Sequence, residues 1–249
     1  MSNSQQDVLS TLFGFWSEVA DATVRCLGKD TANVFVDLYI DALDHLGAID
    51  NAYPEEERHH SLVYADLTAL SKELHWLHAL FLSGNYPIVL SRLRFNWERI
   101  FRAHHADAHG AENPHETDVP GPTLDDKHDW LTKRQHRLNW PLLIAPTMTR
   151  LFPADTPAEV EAHFKPLWDR LNRCVHPSGA LREKSIGESA LHVRDAFDET
   201  WARETHVDAV DVFGLIFLAV LARFPAAVPV LLADPNSFRG CPQLRAVLN

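Results

Sequence analysis

The stretch from Pro54 to Asp107 constrains the fold more than any other part of the chain: "PEEERHHSLVYADLTALSKELHWLHALFLSG" runs directly into "NYPIVLSRLRFNWERIFRAHHAD". Both halves repeat apolar residues at three- and four-residue intervals, the spacing of a helix with one buried stripe. Pro54 suits a first turn, Glu55, Glu56 and Glu57 complement the positive end of a helix dipole, and Gly84 follows the last apolar residue. Asn85 can cap a second helix, whose stripe runs Val89, Leu93, Trp97, Ile100 and Phe101. Gly84 and Asn85 leave room only for a tight reversal. The pattern therefore predicts one long helix over 54–84, a second from 85, and an antiparallel pair at the centre of the fold.

The same periodicity recurs from end to end, and no alternating β-branched run bounded by turns interrupts it. Helices are predicted over about residues 5–26 and 31–47, with Gly28 and Gly47 as punctuation. His109 to Pro122, "HGAENPHETDVPGP", reads as a loop. Thr123 opens a helix that Pro141 interrupts. Another starts near Thr156–Pro157 and buries Val160, Phe164, Leu167, Trp168 and Leu171. Two more follow over about 185–203 and 206–224, ended by Pro225. The fold class is all-α, a multi-helix bundle. One domain over 1–249 is expected, its core over 54–224, with an N-terminal helical extension over 1–50 and an irregular tail over 225–249.

Charge narrows the function classes. The chain carries a net charge of −11, which opposes bulk attraction to nucleic acid. Its distribution is uneven. Residues 1–90 hold four basic and thirteen acidic side chains, whereas 91–102 is net +3, 130–150 is net +4 and 171–184 is net +2. If these three basic islands meet, they form a local anion site on an acidic body. Three separated cysteines, Cys26, Cys174 and Cys241, suggest neither a disulfide framework nor a metal pair. No secretory signal is apparent at the N-terminus, and the run Val212–Ala222 is short of the roughly 20 residues that cross a bilayer. A cytoplasmic protein that does not engage a membrane is expected.

"LWDRLNRCVHPSG", Leu167 to Gly179, combines guanidinium, amide and imidazole groups at a predicted helix end. Pro177 biases His176 away from helical geometry, and a helix C-terminus favours its protonated form. His176 can thus move a proton, or simply cap the last carbonyls. Arg170 precedes it by six residues; so do arginines at similar spacing in Arg99–His104, Arg99–His105 and Arg102–His109, so spacing alone selects none. Asn172 and Arg173, four and three residues before His176, share its helical face better than Arg170. In "SRLRFNWERIFR", Arg94 and Glu98 stand at i, i+4, flanked by Arg92, Asn96 and Arg99; such a strip can clamp a phosphate or form a structural ion pair.

Other constellations carry less. His59, His60, His75 and His78 lack the spacing and carboxylate partner of a zinc site, so no metal is expected. The cluster His104, His105, His109 and His115 is expected in solvent beside the loop. "DDKHD", Asp125 to Asp129, falls in a first turn, where acids complement the helix dipole, rather than mid-helix over a magnesium cavity. Patterns for a nucleophile elbow, a P-loop and a dinucleotide fold are absent.

Through "SGNYPIVLSRLRFNWERIF", "TLDDKHDWL" and "LNRCVHPS", residues 70–224 resemble a group of microbial helical proteins related to HEPN domains. The resemblance implies a helical bundle, frequent homodimers, and metal-independent RNA cleavage or RNA-associated roles in defence and toxin systems, with no cofactor. It assigns His176 and Arg170 as the catalytic pair, with Asn172, Arg173, Arg94, Glu98 and Arg92 in support. Leu171 departs from the family, whose arginine is usually followed by a polar residue. The other reading is a non-enzymatic protein-interaction module.

Overall fold

The computed structural model describes residues 3–112, 120–134, 140–152, 155–175 and 198–249. Among them the chain is all-helical. In order the α-helices are α1 (Asn3–Leu27), α2 (Lys29–Ala32), α3 (Val34–Ala52), α4 (Glu55–His59), α5 (Leu62–Leu82), α6 (Tyr86–Glu112), α7 (Leu124–Arg134), α8 (Ala145–Leu151), α9 (Pro157–Val175), α10 (Glu199–Arg223), α11 (Val228–Ala233) and α12 (Gln243–Leu248). A π-helical turn covers Trp140–Ile144, and a 3-10 turn covers Pro225–Ala227.

Sequence periodicity places α6 at the centre. Val89, Leu93, Trp97, Ile100 and Phe101 are all buried, and α6 packs against α5, α9 and α10. Each such side chain contributes about 1.5–3 kcal/mol on burial. Trp97 meets Trp168 of α9 edge-on at 5.3 Å between centroids. Between α5 and α6, Gly84 takes φ +77°, a left-handed conformation that favours glycine. The Asn85 N–H donates to the Leu80 carbonyl at 2.9 Å, closing the end of α5.

The long helix expected over 54–84 is broken. Ser61 caps α5, its Oγ accepting from the Tyr64 N–H at 3.3 Å. The Asp107 carboxylate, from α6, accepts from the N–H groups of Leu62 and Val63 at 3.1 Å each and from Ser61 Oγ at 2.5 Å. Lys127 of α7 donates to the same carboxylate at 2.7 Å and to the His60 carbonyl. The first N–H groups of a helix need acceptors, and an anion delivered from another helix starts α5 afresh at Leu62.

Gly47 likewise does not end α3, which continues to Ala52. A helical glycine costs about 1 kcal/mol, less than the burial of Ile49, two residues on, returns. Thr123 and Thr156 do act as N-terminal signals. Thr156 Oγ accepts from the Glu159 N–H at 3.3 Å while Glu159 accepts from the Thr156 N–H at 2.8 Å, and Thr123 pairs with Asp126 in the same way. Val160, Leu167, Trp168 and Leu171 are buried and Phe164 is half-buried. Where two helices were expected near the C-terminus, α10 runs unbroken through 206; the expected helix start at 185 lies outside the described residues. Among the described residues α10 alone is long and apolar enough to cross a membrane, with 67% of its most apolar window buried in the fold.

Both terminal regions enter the core. Phe35, Leu38, Ala42 and Ile49 of α3 are buried, as are Phe238, Cys241 and Leu244 of the tail. Asp41 of α3 accepts from the N–H groups of Arg239 and Gly240 at 2.7 and 2.8 Å, clasping the tail. Gly240 is obligatory there, because a Cβ would lie 2.8 Å from the Leu38 backbone nitrogen. His45, one turn after Asp41, is fully buried and stacks on Phe217 with centroids 4.3 Å apart.

Candidate functional site

Arg94, Glu98 and Arg102 occupy successive turns of α6 and so share a face. Against them α9 sets Trp168 and Asn172, also one turn apart. The Arg94 guanidinium lies 4.2 Å from the centroid of the Trp168 ring, and its Nε donates to Asn172 Oδ1 at 2.7 Å. Glu98 bridges Arg94 and Arg102. Burial, together with the charge of Arg102, pushes the Arg94 pKa down to about 10; burial also lowers that of Arg102. The stacking on Trp168 suits a weakly hydrated, planar cation. Arg94, Glu98 and Asn172 therefore converge across the α6–α9 contact.

Glu98 is the hinge of this cluster, since its loss removes the carboxylate that two guanidiniums share. Glu98→Ala is expected to cost about 2 kcal/mol, because both arginines keep partial solvent access, and Arg94→Met about 1 kcal/mol, because Arg102 still compensates Glu98. Urea unfolding of both variants checks the order; an equal cost would remove the bridging role.

A second strip lies beside the first. Arg92, Phe95, Arg99 and Arg102 recur at intervals of three, four and three residues and line one side of α6. Phe95 is 48% exposed, and the Arg92 guanidinium lies 5.9 Å from its ring centroid. From α5, Glu73 approaches Arg92 at 3.6 Å and Asp66 pairs with Arg99 at 2.6 Å. Burial raises the Asp66 pKa, and the Arg99 charge opposes that rise. An open cleft of about 420 Å³ between α5, α6 and α7 is lined by Phe95, Arg99, Arg102, His128 and Thr132, together with Asp66.

The remaining candidates diverge. Arg170 is half a helical turn away from Asn172 on α9 and turns to α10, where its Nε donates to Asp208 at 2.9 Å and its terminal nitrogen to the second carboxylate oxygen. That hydrogen bond raises the Arg170 pKa. Arg173 is exposed near the end of α9. His176, with His109 and His115, lies outside the described residues as far as side-chain placement goes. His104, expected in solvent, is instead buried on α6, and burial with the nearby Arg150 charge pushes its pKa down to about 4. It sits on the core-facing side of α6, one turn beyond Ile100. Among the described residues no three His, Cys, Asp or Glu side chains gather as metal ligands.

Sequence reasoning missed Arg102, Trp168 and Asp66. Continuing the four-residue rhythm from Arg94 through Glu98 reaches Arg102, so that signal was present. Nothing local marks Asp66 as the partner of Arg99, or Asp208 as that of Arg170. No family model matches the chain, and no curated protein or solved structure is similar to it.

Proposed function

We propose that this chain is a HEPN-like bundle, its α5–α6 pair forming the central antiparallel hairpin, that binds single-stranded RNA along the Arg92–Phe95–Arg99–Arg102 strip. The observation that carries this reading is the exposed Phe95 ring set among guanidiniums at the mouth of an open cleft. Single-strand binding combines aromatic platforms for bases with cations that follow the phosphates. Ion pairs with Asp66 and Glu98 hold Arg99 and Arg102 in place, so the strip is organised before a strand arrives. The acidic remainder of the chain makes recognition local rather than a matter of bulk charge.

Cleavage is the enzymatic form of the proposal. His176 takes the proton of a ribose 2′-hydroxyl, the 2′-oxygen bonds to phosphorus as the bond from phosphorus to the 5′-oxygen breaks, and the 5′-oxygen takes a proton from water; the imidazolium returns its own proton to solvent. A guanidinium from Arg170 or Arg173 offsets the extra phosphoryl charge. Asn172 fastens α9 to Arg94 and stands four positions before His176 in the sequence. A homodimer that pairs two such sites belongs to the same reading.

Binding of a fluorescent single-stranded RNA oligonucleotide, followed by anisotropy, tests it. Phe95→Ala is expected to weaken binding about tenfold, as loss of one stacked base requires. Affinity should fall with salt at a logarithmic slope of about −2, from roughly three phosphate contacts. Binding unchanged in Phe95→Ala and insensitive to salt would overturn the RNA reading. His176→Ala that still cleaves would remove only the enzymatic form.

One observation favours a protein-interaction module instead. Trp76 is 72% exposed on α5, one turn from Glu73, and Ile88 of α6 is 48% exposed. Aromatic residues in this setting suit a protein interface. That reading requires no RNA binding and survives loss of His176.

A further inference from the structure

On the opposite side of α9 from Arg94 lies a half-open cavity of about 340 Å³, bordered by the end of α8 and by α9, α10 and α12. Phe152 and Phe164, whose ring centroids are 5.0 Å apart, form one wall, and Leu167 and Leu218 continue the apolar lining. Gly214 opens the α10 side: a Cβ there would meet only the Gln243 side-chain nitrogen, at 3.5 Å. Pockets of this size and character hold small molecules through apolar walls and a few placed polar groups.

The rim charge selects the ligand. Arg170 reaches the cavity, but two of its five N–H donors go to the buried Asp208 carboxylate, and the pair is formally neutral as a unit. Asp211, one turn from Asp208 along α10, also lines the cavity and makes no hydrogen bond or ion pair among the described residues. His163 stands at the rim too, its ring edge-on to Phe164 at 4.6 Å. The uncompensated formal charge is therefore one carboxylate beside two aromatic rings. Burial and the neighbouring Asp208 charge raise the Asp211 pKa, and the charges of Arg170 and His163 oppose that rise without cancelling it; the rim resists further negative charge and gains from a cation.

We propose that this cavity is a binding site for a small hydrophobic amine, its ammonium group on Asp211 and its apolar body between Phe152, Phe164 and Leu218. A carboxylate salt link and cation–π contacts supply the recognition, while the walls exclude strongly hydrated cations. α9 separates this site from the RNA-binding strip, and of the residues given a role in cleavage only Arg170 stands on its rim.

Titration calorimetry of the full chain with 2-phenylethylamine, beside phenylacetate as the anion of similar shape, decides the matter. Saturable amine binding is expected, with none for phenylacetate. Asp211→Asn, a change at an exposed position, should weaken the amine at least about tenfold. Gly214→Val, which fills the cavity, should abolish binding while the far-ultraviolet circular dichroism stays unchanged. If that variant fails to fold, Asp211→Asn alone still decides. Absence of saturable amine binding, equal binding of phenylacetate, or undiminished binding in Asp211→Asn would each overturn the proposal.

Discussion

Replacing Asp107 with alanine is expected to lower the unfolding free energy by about 3–5 kcal/mol, the penalty for breaking a buried charge pair by removing one partner. The Asp107 side chain is fully shielded from solvent and its carboxylate receives Lys127 at 2.7 Å, Ser61 Oγ and two backbone N–H groups. Truncation leaves the Lys127 ammonium, itself only 11% exposed, with the His60 carbonyl and without its carboxylate, and it takes from Arg223 one of two acids, leaving Glu57. It also leaves the first N–H groups of α5 without acceptors, and α4 and α5 lose the anion that separates them. For a chain of this size the midpoint of thermal unfolding should fall by roughly 10 °C. The double variant Asp107→Ala with Lys127→Met should recover part of that loss, because it removes the stranded charge. Differential scanning calorimetry of both checks it; a single variant within 1 °C of the parent would show the carboxylate to be dispensable.

Acid should destabilise the chain through His45 in a way that a single substitution removes. In the fold His45 is enclosed completely, and burial pushes its pKa down from 6.5 to about 4. Between those two values the unfolded chain takes up a proton that the folded chain refuses. The contribution of the neutral ring is thus fully present above pH 6.5 and is lost as the pH falls toward 4. The loss is on the order of 3 kcal/mol. Asp41 acts in the opposite direction: burial raises its pKa to about 6, so the folded chain gains protons first and is favoured as the pH falls from 6 toward 3.8. The two terms partly cancel in the parent, which is why the test is a difference. His45→Phe keeps the stack on Phe217 and deletes an unpartnered Nε2, together with the Nδ1 hydrogen bond to the Asp41 carbonyl at 2.7 Å. In denaturant curves the variant should be the less stable by about 1 kcal/mol near pH 8, and the difference between the two proteins should move in its favour by on the order of 3 kcal/mol between pH 8 and pH 4. Parallel pH profiles would assign the acid response elsewhere.

How far the sequence carried can be judged from α6. Its stripe of Val89, Leu93, Trp97, Ile100 and Phe101 was readable because each of those residues owes its place to periodicity within one helix. Thr156 with Glu159, and Thr123 with Asp126, were readable for a similar reason, since each pair acts over three residues. The break at Ser61 was not, because the deciding carboxylate belongs to Asp107, 46 positions further on. Likewise nothing in the segment around Arg170 announces Asp208, which pairs with it from α10, 38 positions further on. His104 was misread because its neighbour His105 and the nearby polar loop suggested solvent, whereas the helical turn carries it to the packed side. The Arg94–Glu98 pair is visible as an i, i+4 spacing, whereas its meeting with Asn172, at 2.7 Å, depends on the packing of α9 against α6.

The clasp of Asp41 on the tail has a consequence for synthesis. Its two amide partners lie 198 and 199 residues downstream. While the ribosome is still elongating, α3 carries an acid destined for the interior with nothing to satisfy it, and closing around it would be costly. Low-cost enclosure of the Asp41 carboxylate therefore has to wait for the synthesis of residues 239 and 240, which makes the seating of the α3 face a late, long-range step.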